Sequence, residues 1–173
     1  MPTGIIIRSA QEKDMKDITR IYSYYVEKSP ATFEEEAPSV IEITRRWRNA
    51  TEKGLPFLVA SYEDKIRGYA YAFPYRNRSG YRYTVEESVY IEEGHHHKGL
   101  GKSLLKGLIS KVKDMEYKQI IAVITLRHGH DEDTVASYGL HKACGFEKAG
   151  HLEKVGLKFN EPMDTIIMQY SVN

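Results

Sequence analysis

Glycines, lysines and histidines are concentrated in one short stretch, GHHHKGLGKSLL, which runs from Gly94 to Leu105. The strand-like run SVYIEE precedes it, and a helical stripe of leucines begins inside it. Backbone N–H groups in the first turn of a helix have no intrahelical partner and attract anions, and glycines let an anion approach closely. The stretch therefore predicts a phosphate-binding turn, with Lys98 and Lys102 adding positive charge.

The spacing of the glycines disfavours two common nucleotide-binding motifs. A P-loop would need a glycine at His96, five residues before Gly101-Lys102-Ser103. A dinucleotide fingerprint would need a third glycine where the chain has Leu104. Three adjacent histidines on one turn, at positions 95 to 97, cannot all face one ion, so no metal site is predicted. An ordinary glycine-rich turn before a helix is the alternative.

Apolar periodicity predicts the elements on either side of this turn. Residues recur at three- and four-residue spacing, which indicates helices, in Met15 to Tyr25, Ile41 to Asn49 and Leu100 to Val112. A shorter helix is predicted in TVASYGLHKACGF, and Ser9 is predicted to cap the first helix, with Glu12 reaching back. Strands are predicted in GIIIRSA, PFLVASYE, KIRGYAYAFPY, YTVEESVYIEE, QIIAVIT, HLEKVGLKF and DTIIMQYSV.

The resulting order, β-α-α-β-β-β-α-β-α-β-β, indicates an α/β (α+β) fold. Its strand–helix–strand part implies a right-handed crossover between parallel neighbours, whereas the other connections are hairpin-like. We therefore expect a mixed, mostly antiparallel twisted sheet of about seven strands with helices on both faces.

Composition indicates one globular domain over residues 1–173. The chain is 41% hydrophobic with a net charge of +1, which argues against a nucleic-acid-binding tail. No run approaches the roughly 20 apolar residues that span a bilayer, and the N-terminus lacks the pattern of a signal peptide. The single cysteine, Cys144, excludes an internal disulfide and fits the cytoplasm.

The glycine turn resembles the acyl-CoA pyrophosphate loop of the GNAT acetyltransferase superfamily, whose pattern is Gln/Arg-x-x-Gly-x-Gly/Ala. His96, Gly99 and Gly101 stand at the three positions, with His96 where Gln or Arg is usual. The stretches PATFEEEAP, YTVEESVYI, LHKACGF and VGLKF are similar to the phosphinothricin and methionine sulfoximine acetyltransferase branch. The resemblance covers nearly the whole chain and implies a single GNAT-like domain.

The resemblance also implies the partners of the protein. Acetyl-CoA is expected as co-substrate, with no metal, a small-molecule amine as acceptor, and a homodimer as the assembly. Pantetheine is expected to lie along the backbone of Val89, Tyr90 and Ile91, and the helix after HGHDED to border the cofactor at Thr134, where relatives have Asn. The pyrophosphate is expected at His97, Lys98, Gly99, Leu100, Gly101 and Lys102.

Two residues are candidates for the proton transfers of an N-acetylation. Only a neutral amine attacks a thioester, and the resemblance points to Glu86 as the base; a surface glutamate is the alternative reading. Glu87 must face the other side of the strand, so both cannot serve. His141 is expected to protonate the leaving thiolate, with Tyr138 as the alternative donor. Cys144 is expected to pack in the core, so transfer is direct, within a ternary complex.

The acceptor is expected to carry a negative group. By the resemblance, Arg76 and Lys158 form its cationic side, with Phe33 and Tyr83 as walls, because a guanidinium clamps a carboxylate or phosphinate. Arg78 and Arg82 are equally consistent with solvated positions, and the balanced charge argues against an RNA surface. The expected reaction is α-N-acetylation of a phosphinothricin-type or methionine sulfoximine/sulfone-type analogue. The alternatives are another amine, such as a polyamine, an aminoglycoside or a protein N-terminus, and a non-catalytic acyl-CoA-binding module.

Overall fold

The computed structural model describes residues 4–172, which form seven strands and four α-helices. The helices are α1 (Met15–Lys28), α2 (Val40–Glu52), α3 (Leu100–Lys113) and α4 (Ala136–Ala143). The strands are β1 (Ile6–Ser9), β2 (Phe57–Tyr62), β3 (Lys65–Pro74), β4 (Thr84–Ile91), β5 (Gln119–Arg127), β6 (Glu147–Lys158) and β7 (Glu161–Ser171). They form one sheet in the order β1-β2-β3-β4-β5-β7-β6. All neighbours are antiparallel except β4 and β5, which confirms the expected mixed, mostly antiparallel sheet.

Side-chain alternation along β3 separates two helical layers. A Cβ atom on Gly68 would lie 3.1 Å from Leu104 of α3. The next residue, Tyr69, faces the other way and stacks on Tyr90 of β4. Tyr90 packs edge-on against Tyr22 of α1. Helices therefore cover both faces, as predicted, and an aromatic cluster fills the layer between α1 and the sheet.

The leucine stripe of α3 provides one side of the core. All of its apolar positions are fully buried, and each buried leucine contributes on the order of 1.5–3 kcal/mol relative to exposure. These positions are Leu100, Leu104, Leu105, Leu108 and Val112, as the periodicity predicts. Within residues 4–172, no helix is both long and apolar enough to cross a membrane.

The first helical turn begins later than the sequence predicts. Ser9 is the last residue of β1, and a single 3₁₀ turn begins at Glu12. The backbone N–H of Gln11 donates to a carboxylate oxygen of Asp14 at 2.8 Å, so Asp14 takes the reaching-back role expected of Glu12. Arg8 donates two hydrogen bonds to the same carboxylate, and this pairing explains why Asp14 tolerates burial.

The parallel pairing in the centre of the sheet is short. Residues Thr84 to Glu87 of β4 pair with Gln119 to Ala122 of β5, and the two strands then diverge. Both strands continue, since β4 stays paired with β3 and β5 with β7 up to Arg127. The sheet therefore opens between β4 and β5 at its centre, and the backbone edges facing the opening lack a neighbouring strand.

Candidate active site

A cavity of about 740 Å³ lies at the opening between β4 and β5. Residues 87–91 and 122–125 form two of its sides, and the N-terminal turn of α3 and the front of α4 form others. Tyr25 of α1 reaches it from the opposite layer. The cavity thus joins a sheet edge, a helix N-terminus and residues from both layers.

The backbone of β4 presents one free position to the opening. Glu92 donates its N–H to the carbonyl oxygen of Arg67 on β3 at 2.7 Å, and the backbone polar groups of consecutive residues in a strand point to opposite edges. The backbone of Tyr90 therefore faces β3, whereas those of Val89 and Ile91 face the opening. The Tyr25 hydroxyl donates to the Ile91 carbonyl at 2.5 Å and accepts from the Ile91 N–H at 3.3 Å.

The three residues predicted to bind pantetheine, Val89, Tyr90 and Ile91, therefore differ in what their backbone groups contact. Val89 offers an open N–H and C=O to an extended ligand, in the way that a neighbouring strand would be bound. Tyr25 already occupies the backbone of Ile91, and burial raises the pKa of its hydroxyl to about 12. Tyr90 contributes its ring to the aromatic cluster rather than backbone to the opening.

The glycine turn leads into α3 through left-handed backbone. The φ angles of Gly94, His97 and Gly99 are 78°, 61° and 86°, and Gly99 caps α3 without any side-chain hydrogen bond to the first turn. The N–H groups of the first turn are therefore free to bind an anion, and the helix dipole favours one there. His95, His96, His97, Gly99, Gly101 and Lys102 line the cavity.

Two residues of the predicted pyrophosphate set have side chains elsewhere. The Lys98 ammonium lies 5.6 Å from the centre of the Tyr62 ring, and its side chain is not part of the cavity lining. Leu100 belongs to the buried stripe of α3, so it can contribute only its N–H group. Lys102 is the one lysine of the turn that lines the cavity.

Two acidic residues before the turn have basic residues as neighbours. Arg20 of α1 and Arg67 of β3 both form ion pairs with Glu92, and these pairs hold the pKa of the Glu92 carboxyl below its usual value despite burial. His95 lies 3.3 Å from Glu92, and His96 lies 3.5 Å from Glu93. These histidines thus have separate acidic partners, and residues 4–172 contain no group of three or more side chains placed to hold a metal ion.

Glu86 lies on the α1 face of β4, opposite α3. It is half-buried, and burial is the main reason that its pKa is raised; the charge of Glu87 raises it further, whereas Arg76 lowers it. Arg76 is exposed and lies over the rings of Tyr75 and Tyr81. Arg76 is therefore near enough to Glu86 to lower the pKa of its carboxyl, although neither residue is part of the cavity lining.

Glu87 and His141 form a buried pair on the cavity side. The Oε1 atom of Glu87 lies 2.5 Å from Nε2 of His141, and the His141 Nδ1 lies 2.6 Å from the carbonyl oxygen of Ser137. Both side chains line the cavity. Glu87 lies on the face of β4 opposite Glu86, as expected, but its pairing with His141 could not be predicted, because the two residues are 54 positions apart in the chain.

Comparison with known proteins identifies the family. A family model described as an acetyltransferase (GNAT) domain matches residues 7–167. The chain belongs to the GNAT acetyltransferases. It is 41% identical over 167 residues to a phosphinothricin N-acetyltransferase from Alcaligenes faecalis, covering 96% of this chain and 82% of that protein.

Two further relatives agree with this placement. An L-methionine sulfoximine/L-methionine sulfone acetyltransferase from Pseudomonas paraeruginosa is 34% identical, with 96% of this chain and 94% of that protein covered. The crystal structure of a GNAT phosphinothricin acetyltransferase from Sinorhizobium meliloti, in complex with acetyl-CoA, superposes with a TM-score of 0.91 at 36% identity. That superposition covers 99% of this chain and 90% of that one.

Lys158 of this acetyltransferase does not have the substrate-binding role that the sequence predicts. Its side chain is 2% exposed, and its ammonium donates to the carbonyl oxygens of Tyr25, Ser29 and Thr32 at 3.2, 2.8 and 2.6 Å. These three contacts use all the protons of the ammonium. Lys158 therefore fastens the end of α1 and the following loop to the β6–β7 hairpin.

Two other predicted acceptor residues, Phe33 and Tyr83, lie outside the cavity lining, whereas the predicted cofactor residue Thr134 is part of it. The Phe33 ring packs on Gly156, where an added Cβ would come within 2.3 Å of it. Tyr83 is exposed beneath the guanidinium of Arg82, 4.6 Å from its ring centre. Neither ring lines the cavity. Thr134 does line it, but its hydroxyl donates to the Asp131 carbonyl at 2.6 Å.

Tyr138 of α4 and Cys144, which directly follows α4, are the two alternative reactive groups, and neither is part of the cavity lining. Tyr138 is outside the lining, and its hydrogen bond to Glu132 raises the pKa of its phenol. Cys144 is half-buried, and burial raises the pKa of its thiol, which disfavours the thiolate that a covalent mechanism requires. His141 is therefore the titratable side chain of α4 at the cavity.

The three glycines of the glycine turn, Gly94, Gly99 and Gly101, are not equivalent as positions for testing cofactor binding. A Cβ at Gly101 would lie 3.1 Å from Leu140 of α4, so substitution there would disturb helix packing as well as binding. Gly99 has the left-handed φ of the helix cap and lines the cavity. Gly94 has a similar φ of 78° but lies outside the lining.

We expect Gly99→Ala to weaken acetyl-CoA binding by about tenfold or more, because the strained cap turns N–H groups away from the pyrophosphate. Isothermal titration calorimetry with acetyl-CoA measures this change. Gly94→Ala is the matched control, since it carries a comparable left-handed strain and should retain wild-type affinity. Equal losses in both variants would show that strain, rather than the cap, determines binding.

Proposed function

We propose that residues 1–173 form a single acetyltransferase domain that acetylates the α-amine of a small amino-acid analogue. Phosphinothricin, methionine sulfoximine and methionine sulfone are the acceptors of choice, because relatives over 96% of the chain carry those names. The observation that carries the proposal is the position of Glu86, a half-buried carboxylate on the strand where the sheet opens, with Arg76 near enough to lower its pKa.

The cavity side supports acetyl-CoA as the co-substrate. Acetyl-CoA supplies the activated acetyl group as a thioester. The free N–H groups at the start of α3 would bind its pyrophosphate, and Lys102 would add charge. The open backbone of Val89 would hold the extended arm between β4 and β5. These contacts orient the thioester towards the point where the strands diverge.

Glu86 would act as the general base from the opposite face. A carboxylate accepts a proton from an ammonium more readily when its pKa is raised, and burial raises that of Glu86. The amine nitrogen would then approach the thioester through the opening in the sheet. Attack from one face and departure of the thiolate on the other require no covalent acyl-enzyme.

Arg76 would bind the acceptor's negative group. It is exposed, lies close enough to Glu86 to lower the pKa of that carboxyl, and is held between Tyr75 and Tyr81. A guanidinium on aromatic rings keeps its donors directed outward and pairs with a carboxylate in a bidentate manner. With Lys158 assigned to the loop carbonyls, Arg76 is the candidate that is free to discriminate charge.

We expect the protein to acetylate methionine sulfone, methionine sulfoximine or phosphinothricin, and to use the carboxyl-amidated form roughly ten- to a hundredfold less well in kcat/KM. This range corresponds to the loss of a charge-assisted hydrogen bond, about 1.5–3 kcal/mol. Arg76→Ala should remove most of the discrimination. Arg78→Ala, an exposed arginine of the same loop, is the control. An amide that reacts as well as the acid would favour a different class of amine.

We expect Glu86→Gln to lower kcat by about 10²-fold or more near neutral pH, since it keeps the shape and removes the base. The defect should shrink at high pH, where the free amine is already neutral. In the wild type, the raised pKa places the acidic limb of the kcat profile above the usual carboxyl range of about 4.3. Glu116→Gln, an exposed glutamate, is the control. An unchanged pH profile in Glu86→Gln would make the residue structural.

We also propose that the protein is a cytoplasmic homodimer. The outer strand β6 exposes apolar side chains that a partner would cover: Leu152, Val155 and Leu157 are 47%, 54% and 65% exposed. Phe159, in the turn after β6, extends this surface. A second copy would bury these residues against their symmetry mates. The single cysteine, Cys144, supports the reducing location.

The dimer proposal predicts a change of mass on charge insertion. Leu157→Lys should shift the protein to a monomer in light scattering coupled to size exclusion, because it puts a charge into the apolar surface that the partner would cover. Ile41→Lys places the same charge on an exposed apolar position of α2 and should leave the mass unchanged. A wild-type monomer at micromolar concentration would refute the proposal.

A further inference from the structure

Glu87 is a buried carboxylate that the proposed mechanism has not used. Glu87 and His141 are 4% and 2% exposed, and they are 2.5 Å apart. The second oxygen of the carboxylate, Oε2, is buried and has no hydrogen-bond partner among residues 4–172. A carboxylate in such surroundings is retained at a high desolvation cost unless an opposite charge lies against it. His141 is the group that can supply that charge.

The contacts of His141 determine where its protons are. The carbonyl oxygen of Ser137 can only accept a hydrogen bond, so the Nδ1 atom that lies 2.6 Å from it carries a proton. The other nitrogen, Nε2, faces the carboxylate, and this short contact holds a second proton. Burial acts to lower the pKa of His141, but the charge and hydrogen bond of Glu87 raise it above its ordinary value.

We propose, on the basis of the proposed function, that Glu87 is a positioning residue that keeps His141 doubly protonated beside the cavity. The Glu87–His141 pair supplies the proton that the sulfur takes as the carbon–sulfur bond breaks and the electron pair of that bond passes to the sulfur. Glu86 first passes the ammonium proton to solvent; the lone pair of the neutral amine then forms the new carbon–nitrogen bond, and Glu86 takes the second proton that the nitrogen loses. Solvent then removes the proton from Glu86 and returns one to His141.

The raised pKa suits this task for a quantitative reason. An unperturbed imidazole has a pKa of about 6.5, so only about a tenth would be protonated at pH 7.5. A thiol has a pKa of about 8.5, and a donor transfers its proton best when its own pKa approaches the operating pH and the acceptor's value. The carboxylate of Glu87 beside His141 moves the pKa of the imidazolium in that direction.

Several other titratable groups are influenced by the charge of Glu87. Glu86 and Tyr90 are on the same strand, and the charge of Glu87 contributes to raising the pKa of both. Cys144, at the end of α4, feels Glu87 and also Lys102 and Lys106 of α3, and burial keeps its thiol protonated. Removing the charge of Glu87 should therefore lower the pKa of His141 and, to a smaller extent, that of Glu86.

Nuclear magnetic resonance of the ligand-free protein tests the proposal directly. The His141 imidazole should titrate above 6.5 in the wild type and about one pH unit or more lower in Glu87→Gln, which keeps the shape without the charge. Ser137→Ala is the matched control, because it removes a neighbouring hydroxyl but keeps the carbonyl that binds Nδ1. An unchanged His141 titration in Glu87→Gln would overturn the proposal.

Kinetics provide the second readout. The alkaline limb of the kcat profile should move to lower pH by the same amount in Glu87→Gln, so that kcat falls about tenfold above that limb, with KM for acetyl-CoA little changed. Glu87→Asp should restore part of the shift. A uniform fall in kcat with both limbs in place would mean that Glu87 only fills space, and would also overturn the proposal.

The test separates this inference from the proposed function. The titration needs neither acetyl-CoA nor an acceptor, so a wild type that acetylates none of the analogues would count against the function alone. Thermal unfolding of each variant checks the fold. If Glu87→Gln does not fold, Glu87→Asp carries the test: its shorter carboxylate should lower the His141 pKa part of the way, and an unshifted titration would refute the role.

Discussion

The structure depends on one interruption of β-sheet hydrogen bonding. β4 and β5 pair over four residues each and then diverge, although both strands continue. An unpaired strand edge in the middle of a sheet is costly unless something else satisfies its N–H and C=O groups. At Ile91 the Tyr25 hydroxyl does so, and at Val89 the groups remain open to an extended ligand. The proposed binding site is thus the gap between β4 and β5, where an extended ligand would take the place of a neighbouring strand.

The same interruption explains why one strand can serve both substrates. Consecutive side chains of a strand point to opposite faces, so Glu86 faces the α1 layer and Glu87 faces α4. In a continuous sheet the two faces would be separated by backbone. Where β4 and β5 diverge, they communicate through the opening. Adjacent residues can therefore act on the two sides of one reacting bond.

The sequence predicted those features of the structure that depend on the spacing of neighbouring residues. The α3 stripe, the order of strands and helices along the chain and the free N–H groups at the start of α3 all follow from short-range spacing. Lys158 was mistaken for a substrate cation because spacing cannot reveal that three carbonyls far away in sequence converge on its ammonium. The partner of Glu87 was missed for the same reason, since His141 is brought to it only by the packing of α4.

Two neighbouring glutamates acquire different properties because their surroundings differ. Glu86 is half-buried with one arginine nearby, so burial raises its pKa and leaves it able to accept a proton. Glu87 is buried, and its carboxylate is hydrogen-bonded to His141 rather than free to accept a further proton. The two are also coupled, because the charge on Glu87 raises the pKa of Glu86. In the proposed mechanism, the negative charge of Glu87 would be less compensated once His141 had lost its proton, and Glu86 would then hold its newly acquired proton more strongly. Loss of the proton on one face would thereby favour its retention on the other, so the two carboxylates would link the two halves of the proposed transfer.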